Sequence, residues 1–185
     1  MANSYKSNGH LFPKKLELCS EYADCCSTEQ KCDRPFKVAR IEKEQLKQLK
    51  TFILSVFPVS YDNDFYKQIL HWPISLIVTD RTTKIIGAFC AKFEETDENK
   101  KLYISVFGVN VFWRRRGIGT AMFAIAKRFC EQNRDVKSIY LHVQKDNEDA
   151  RAFYEKFGFV VVDEVADFYR RTHCPTALIM EKDVR

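Results

Sequence analysis

Two groups of residues in this 185-residue chain have types and spacings that could do chemistry. The first is Arg114-Arg115-Arg116-Gly117-Ile118-Gly119-Thr120, which runs into apolar residues at helical spacing: Ile118, Met122, Ile125, Ala126 and Phe129. A helix that opens on glycine presents backbone N–H groups with no intrahelical partner, and the aligned peptide dipoles add about half a positive charge there. Such a place binds phosphate. Glycine lets an anion come close to the backbone, and arginines just before the helix add ion pairs to it. Other phosphate motifs fail on reading: there is no Walker loop, and the dinucleotide fingerprint breaks at Met122. Taken alone, the three arginines are also compatible with a solvated charge run.

The second group lies on two segments that alternate like strands. In "KLYISVFG" the residues Tyr103, Ser105 and Phe107 are expected on one face, and in "SIYLHVQ" Tyr140, His142 and Gln144 share one. The opposite faces, Leu102, Ile104, Val106 and Ile139, Leu141, Val143, are aliphatic. A polar face against an aliphatic one points Tyr103 and His142 into a site, although strand aromatics also serve as packing residues.

The elements that must position these groups can be read along the chain. "FKVARI" alternates as a strand, and Leu46, Leu49, Ile53, Leu54 and Phe57 recur at helical spacing. That helix must stop at Phe57, because a residue before proline is pushed out of the α region. A short helix restarts after Asp62 or Asn63, with Phe65, Ile69 and Leu70 as its apolar face. "ISLIVTD", "KIIGAFCAKFEE" and "KLYISVFGVN" read as an antiparallel meander. After the arginine-led helix come the strand "SIYLHVQ", a helix capped by Asn147 and ended at Gly158, and the strands "FVVVDEV" and "TALIMEK". The order βααβββαβαββ predicts an α/β (α+β) chain with a mixed sheet and helices on both faces.

Composition bounds the rest. With 45% hydrophobic and 14% aromatic residues, one domain with one good core is the default. A formal net charge of +5 suits an anionic cofactor and falls short of a nucleic-acid signature. No apolar run is long enough to span a bilayer, so no membrane partner is expected. Seven cysteines, an odd number, fit reduced thiols in the cytoplasm or nucleus. Four of them, Cys19, Cys25, Cys26 and Cys32, fall in residues 1–34, an N-terminal extension without strand or helix period. Their spacing lacks the paired hooks of ordinary zinc sites, and no metal is expected. The loop "EETDE" at Glu94 to Glu98 reads as a solvated turn.

The Arg114-x-x-Gly117-x-Gly119 pattern after a strand resembles the pyrophosphate loop of the GCN5-related N-acetyltransferases (GNATs), and the order of elements agrees with their seven-stranded, mostly antiparallel fold. "FPVSYDNDFY", "LYI", "RRRGIGT", "IYLHVQ", "NEDARAFYEKFGF" and "FYRR" narrow the resemblance to N-terminal acetyltransferases of the NatE type, over roughly Pro35 to Lys182. The resemblance implies an acetyltransferase domain over residues 35–185, acetyl-coenzyme A (acetyl-CoA) as cofactor, and protein N-termini as substrates. The preferred terminus would be an initiator Met followed by an apolar residue, with a side activity on internal lysines left open. It implies a nascent-chain setting in the cytoplasm, with the NatA complex and the ribosome as partners.

The same resemblance distributes roles. Tyr103 and His142 would act together through a water as general base on the α-amine, His142 having the more suitable ordinary pKa. Phe107, Gly108 and Val109 would offer backbone to the pantetheine and thioester. Arg114, Arg115, Arg116, Gly117, Ile118, Gly119 and Thr120 would hold the pyrophosphate. Asn147 and Tyr154 would contact the cofactor, and the Tyr154 hydroxyl is a candidate acid for the leaving thiolate. Phe57, Pro58, Val59, Tyr61, Ser105, Phe168, Tyr169 and Arg170 would form the peptide side. Ser105 stands where a larger apolar residue is expected, Phe168 where tyrosine is usual, and Arg116 where an apolar residue is usual. A small-amine acetyltransferase of the same fold and a cofactor-binding docking subunit are the two alternatives.

Overall fold

The computed structural model describes residues 36–57, 59–95, 99–170 and 172–184. The extension 1–34, its four cysteines and Pro58 lie outside the described residues. Seven strands form one sheet: β1 (Phe36–Arg40), β2 (Ile74–Asp80), β3 (Ile85–Glu95), β4 (Lys100–Val109), β5 (Val136–Gln144), β6 (Val160–Val165) and β7 (Ala177–Asp183). Their order across the sheet is β1-β2-β3-β4-β5-β7-β6. Among the described strands only β4 and β5 run parallel, as their helical crossover requires. The expected mixed, mostly antiparallel sheet is therefore present.

The helices cover both faces. α1 (Leu46–Val56) ends with Phe57 in extended conformation (ψ 143°), as the following proline demands. α2 (Asn63–Ile69) is capped by the Asp62 carboxylate, which accepts from the Phe65 N–H at 2.7 Å. Its buried residues are Tyr66 and Ile69, with Phe65 and Leu70 only half-buried, so its inner face is rotated from the expected one. Together these helices pack Leu49, Phe52, Ile53 and Ile69 on Ile77, Ala88 and Val106. On the other face α3 (Ile118–Gln132) and α4 (Glu148–Lys156) cover Phe89, Leu102, Ile104, Ile139 and Leu141 with Met122, Phe123 and Tyr154.

One irregularity decides the geometry of the site. Across β3 and β4, Cys90 pairs with Val106 and Ala91 with Ile104, so Ser105 is an extra residue, a β-bulge. The bulge resets the alternation. Ile104 faces α3, whereas Val106 joins the α1/α2 face. The expectation that Tyr103, Ser105 and Phe107 share a face is thereby corrected, because Phe107 turns to the α3/α4 face, against Phe89 and Phe153.

Candidate active site

The bulge also ends a strand pairing. β4 and β5 are registered from Lys100↔Val136 to Ile104↔Leu141, while β5 continues along β7 to Gln144↔Ala177. Beyond Ile104 the two parallel strands part, and the β5-facing backbone groups of Phe107 to Val109 are left without a ladder partner from β5. A wedge opens in the middle of the sheet, lined by strand backbone that can bond an extended amide chain.

The arginine-glycine turn stands at the end of this wedge. Asn110 caps a single 3-10 turn, Val111–Trp113, by accepting from the Phe112 N–H at 3.0 Å. The chain then enters the turn with Arg115 at φ 61° and Gly117 at φ 78°. Glycine is favoured at 117 by that left-handed backbone and not by crowding, because a Cβ there would meet nothing within 4 Å. Gly119 has a different reason: a Cβ would sit 3.2 Å from the Phe153 ring of α4. Gly117 caps α3 without a side-chain bond, and the first backbone bond of the helix is Ala121 N–H to the Gly117 carbonyl, 2.9 Å. The N–H groups of Ile118, Gly119 and Thr120 precede that bond and are directed out of the helix start.

The three arginines differ. Arg114 folds back, its Nε donating to the Val109 carbonyl at 3.1 Å, which ties the turn to the end of β4. The Arg116 guanidinium lies 5.0 Å from the centroid of the Trp113 ring, a cation–π contact. Arg115 holds the left-handed position. Asn147 caps α4, its Oδ1 accepting from Ala150 N–H at 3.1 Å, and its amide group is not consumed by the cap. Tyr154 is buried beside Phe107 and Phe153, and burial drives its hydroxyl well above the ordinary phenol range.

Tyr103 and His142 come together on the α1/α2 side, ring centroids 5.6 Å apart and edge to face. His142 Nδ1 is buried and has no hydrogen-bond partner among the described residues. Burial lowers the His142 pKa from its ordinary value, against the field of Glu94, which raises it. Burial also drives the Tyr103 hydroxyl upward, so it stays a phenol. Tyr169 faces the same space, its hydroxyl pushed up first by burial and then by Tyr103 and Tyr61.

The expected peptide side assembles around this pair. The Tyr61 hydroxyl donates to the Ser105 carbonyl at 3.3 Å, locking the bulge to the α1–α2 connection, and its ring stacks on Phe65. Phe57 presses its ring onto Gly108, where an added Cβ would lie 2.7 Å from Phe57 Cζ. Val59 is half-buried beside it. Phe168 stacks face to face on His142, centroids 4.1 Å apart and planes at 8°. Arg170 is exposed.

Reading the sequence missed one group. Glu94 and Glu95 belong to β3, and Glu94 is not part of a solvated turn: it accepts a hydrogen bond from the Tyr140 hydroxyl and pairs with Lys92 at 2.9 Å. The signal was present in the alternation of Lys92 and Glu94 on the face of Tyr103, but the five-residue acidic run hid it.

A wedge of strand backbone leading to a glycine-opened helix start fits a long, amide-bearing thioester with a pyrophosphate. The comparisons with known proteins agree. Residues 41–159 match the model of the acetyltransferase (GNAT) family. The chain belongs to that family, and acetyl-CoA is its cofactor. It is 36% identical to a probable N-acetyltransferase san of Drosophila melanogaster over 78% of this chain and 79% of that one. It is 34% identical to N-alpha-acetyltransferase 50 of Danio rerio, covering 78% of this chain and 86% of the relative. Among solved structures it resembles Arabidopsis thaliana Naa50 in complex with the bisubstrate analogue CoA-Ac-MVNAL, with TM-score 0.74, 26% identity and coverage of 80% and 99%.

Proposed function

We propose that this GNAT chain acetylates the free α-amine of proteins beginning with Met and an apolar residue, with Tyr103 and His142 as its base. The chain is an N-terminal protein acetyltransferase, by its similarity to the fish and fly relatives and to the Arabidopsis structure. The observation that carries the assignment of the base is the buried Nδ1 of His142, without a hydrogen-bond partner among the described residues, beside Tyr103 at the point where β4 leaves β5.

Acetyl-CoA supplies an electrophilic thioester carbonyl. The N–H groups of Ile118, Gly119 and Thr120 would hold its pyrophosphate, with Arg115 nearby and Arg114 fixing the turn through Val109. The β5-facing backbone groups between Phe107 and Val109, which pair with β3 on one side and have no β5 rung on the other, would bond the pantetheine amides and face the reacting carbonyl. A peptide α-amine has an ordinary pKa of about 7.7 to 8.0, so a modest base is enough to complete its deprotonation. His142, held neutral by burial, can accept that proton through a water shared with the Tyr103 hydroxyl. Tyr154, kept protonated by burial, has a proton to give at the leaving sulfur.

On the peptide side, Phe57 and Val59 would wall the pocket for the initiator Met, and Tyr61 and Tyr169 would bond the peptide backbone. The Arabidopsis neighbour carries an analogue whose peptide starts Met-Val, which supports this preference. Ser105 leaves the pocket floor roomier than a large apolar side chain would. The decisive experiment is turnover on peptides varied at positions one and two. Efficient acetylation of Met-Leu and Met-Val peptides is expected; turnover of spermidine with none of a Met-Leu peptide refutes the proposal.

A further inference from the structure

Two β3 side chains on the face of Tyr103 take no part in the reaction as derived above. Lys92 Nζ is 2.9 Å from Glu94 Oε1 and 5.5 Å from the Tyr103 ring centroid. Glu94 accepts a hydrogen bond from the Tyr140 hydroxyl, and the Tyr140 ring lies 4.9 Å from Tyr103 and 6.2 Å from His142. One carboxylate on β3 is thus linked through one phenol to side chains on both β4 and β5, at the last rungs before those strands part. Register explains the meeting: Lys92 pairs with Tyr103, and Tyr103 with Tyr140, so three strands present these groups on one face.

We propose that Glu94 is a positioning residue for the acetyl transfer: through Tyr140 it aligns Tyr103 and His142, and its negative charge favours the imidazolium formed when His142 takes the amine proton. The inference rests on the reading of Tyr103 and His142 as the base. Burial alone makes His142 a poor proton acceptor, and Phe168 stacked on its ring adds apolar cover. A carboxylate nearby offsets that penalty, because an opposite charge stabilises the protonated ring.

The other groups around His142 do not serve the same end. Glu181 of β7 is engaged by Lys101 at 2.8 Å and by the Ser138 hydroxyl. Lys92 lies over Tyr103, and Tyr61 and Tyr169 are phenols held protonated by burial. Glu94 itself is kept ionised: burial raises its pKa, but the bonds from Tyr140 and Lys92 outweigh that and leave it below its ordinary value. Tyr140, by contrast, is pushed up by burial and by Glu94, so it remains the donor in their bond.

The test is an NMR titration of isotope-labelled histidine in the full-length enzyme, wild type, Glu94→Gln and Tyr140→Phe, alongside steady-state kinetics on a Met-Leu peptide. In Glu94→Gln the His142 ring is expected to titrate at lower pH, with kcat reduced about five- to tenfold and the KM for acetyl-CoA within about twofold of wild type. Tyr140→Phe, which keeps the carboxylate but cuts its link, is expected to lose kcat with a smaller change in titration, and Glu94→Asp to recover part of the rate. A His142 titration unchanged in Glu94→Gln overturns the inference, as does a wild-type kcat in both Glu94→Gln and Tyr140→Phe. His142→Ala measured beside them separates the two ideas: a large loss there with silent Glu94 variants removes only the role of Glu94, whereas a wild-type rate in His142→Ala removes the base itself.

Discussion

Gly108→Ala puts one methyl group where Phe57 meets the end of β4. The new Cβ would lie 2.7 Å from Phe57 Cζ, 3.1 Å from Phe57 Cε2 and 3.0 Å from Val56 Cγ1. Carbon atoms in contact prefer about 3.5 to 4.0 Å, so the ring must retreat by about 1 Å. Overpacking of this size costs about 1 to 3 kcal/mol. Where that cost falls depends on what holds Phe57. Its ring caps the end of α1 and is half-buried, so it can swing away, but Val56 belongs to the last turn of the helix and cannot. Part of the strain should therefore appear as displacement of the proposed pocket wall and part as lost stability. Steady-state kinetics should show kcat/KM for a Met-Leu peptide reduced about tenfold, the equivalent of about 1.4 kcal/mol. Thermal unfolding should fall by about 2 to 8 °C for a chain of this size. The KM for acetyl-CoA should move less than the KM for peptide, because the methyl points at Phe57 and not into the wedge. If peptide kinetics and melting temperature both match wild type, the contact does not position the pocket and the reasoning fails.

Other outcomes follow from the same geometry. Tyr103→Phe and His142→Ala should each lower kcat about tenfold or more with the fold intact by circular dichroism, as loss of a general base does. Gly117→Ala meets no neighbour but forces a side chain into the left-handed region at φ 78°, a strain of about 1 to 2 kcal/mol; titration calorimetry should show weaker acetyl-CoA binding with peptide specificity intact. The pH dependence of stability carries the sign of a depressed histidine: the unfolded chain takes up a proton at about pH 6.5, before folded His142 does, so stability is full above that pH and falls as pH drops towards the lower folded value. Urea unfolding at pH 7.5 and 5.5 should show this loss in wild type and a smaller one in His142→Phe.

Much of the candidate site is local and could be read from the chain. The Arg114-x-x-Gly117-x-Gly119 turn, the Asp62 and Asn147 caps and the stop at Phe57 are backbone instructions written in a few consecutive residues, and each appears as expected. Apolar runs, strand alternation and helical periodicity also marked the seven strands and four α-helices among the described residues, because each segment carries its own apolar pattern, although β2 and most of β3 are buried on both faces and β6 is exposed.

The tertiary structure decided what depends on neighbours. The bulge at Ser105 exists only in the register of β4 against β3, and it alone turns Phe107 to the opposite face from Tyr103 and splits β4 from β5. Glu94 looked like a solvated acid until Tyr140, 46 residues away, donated to it across the sheet. Phe168 met His142 only through the β6–β7 connection, and Arg114 and Arg116 took separate partners that their identical side chains could not announce. Local periodicity specifies which face of an element is apolar; which atoms meet across that face is set by strand register and helix packing, and those are properties of the whole sheet.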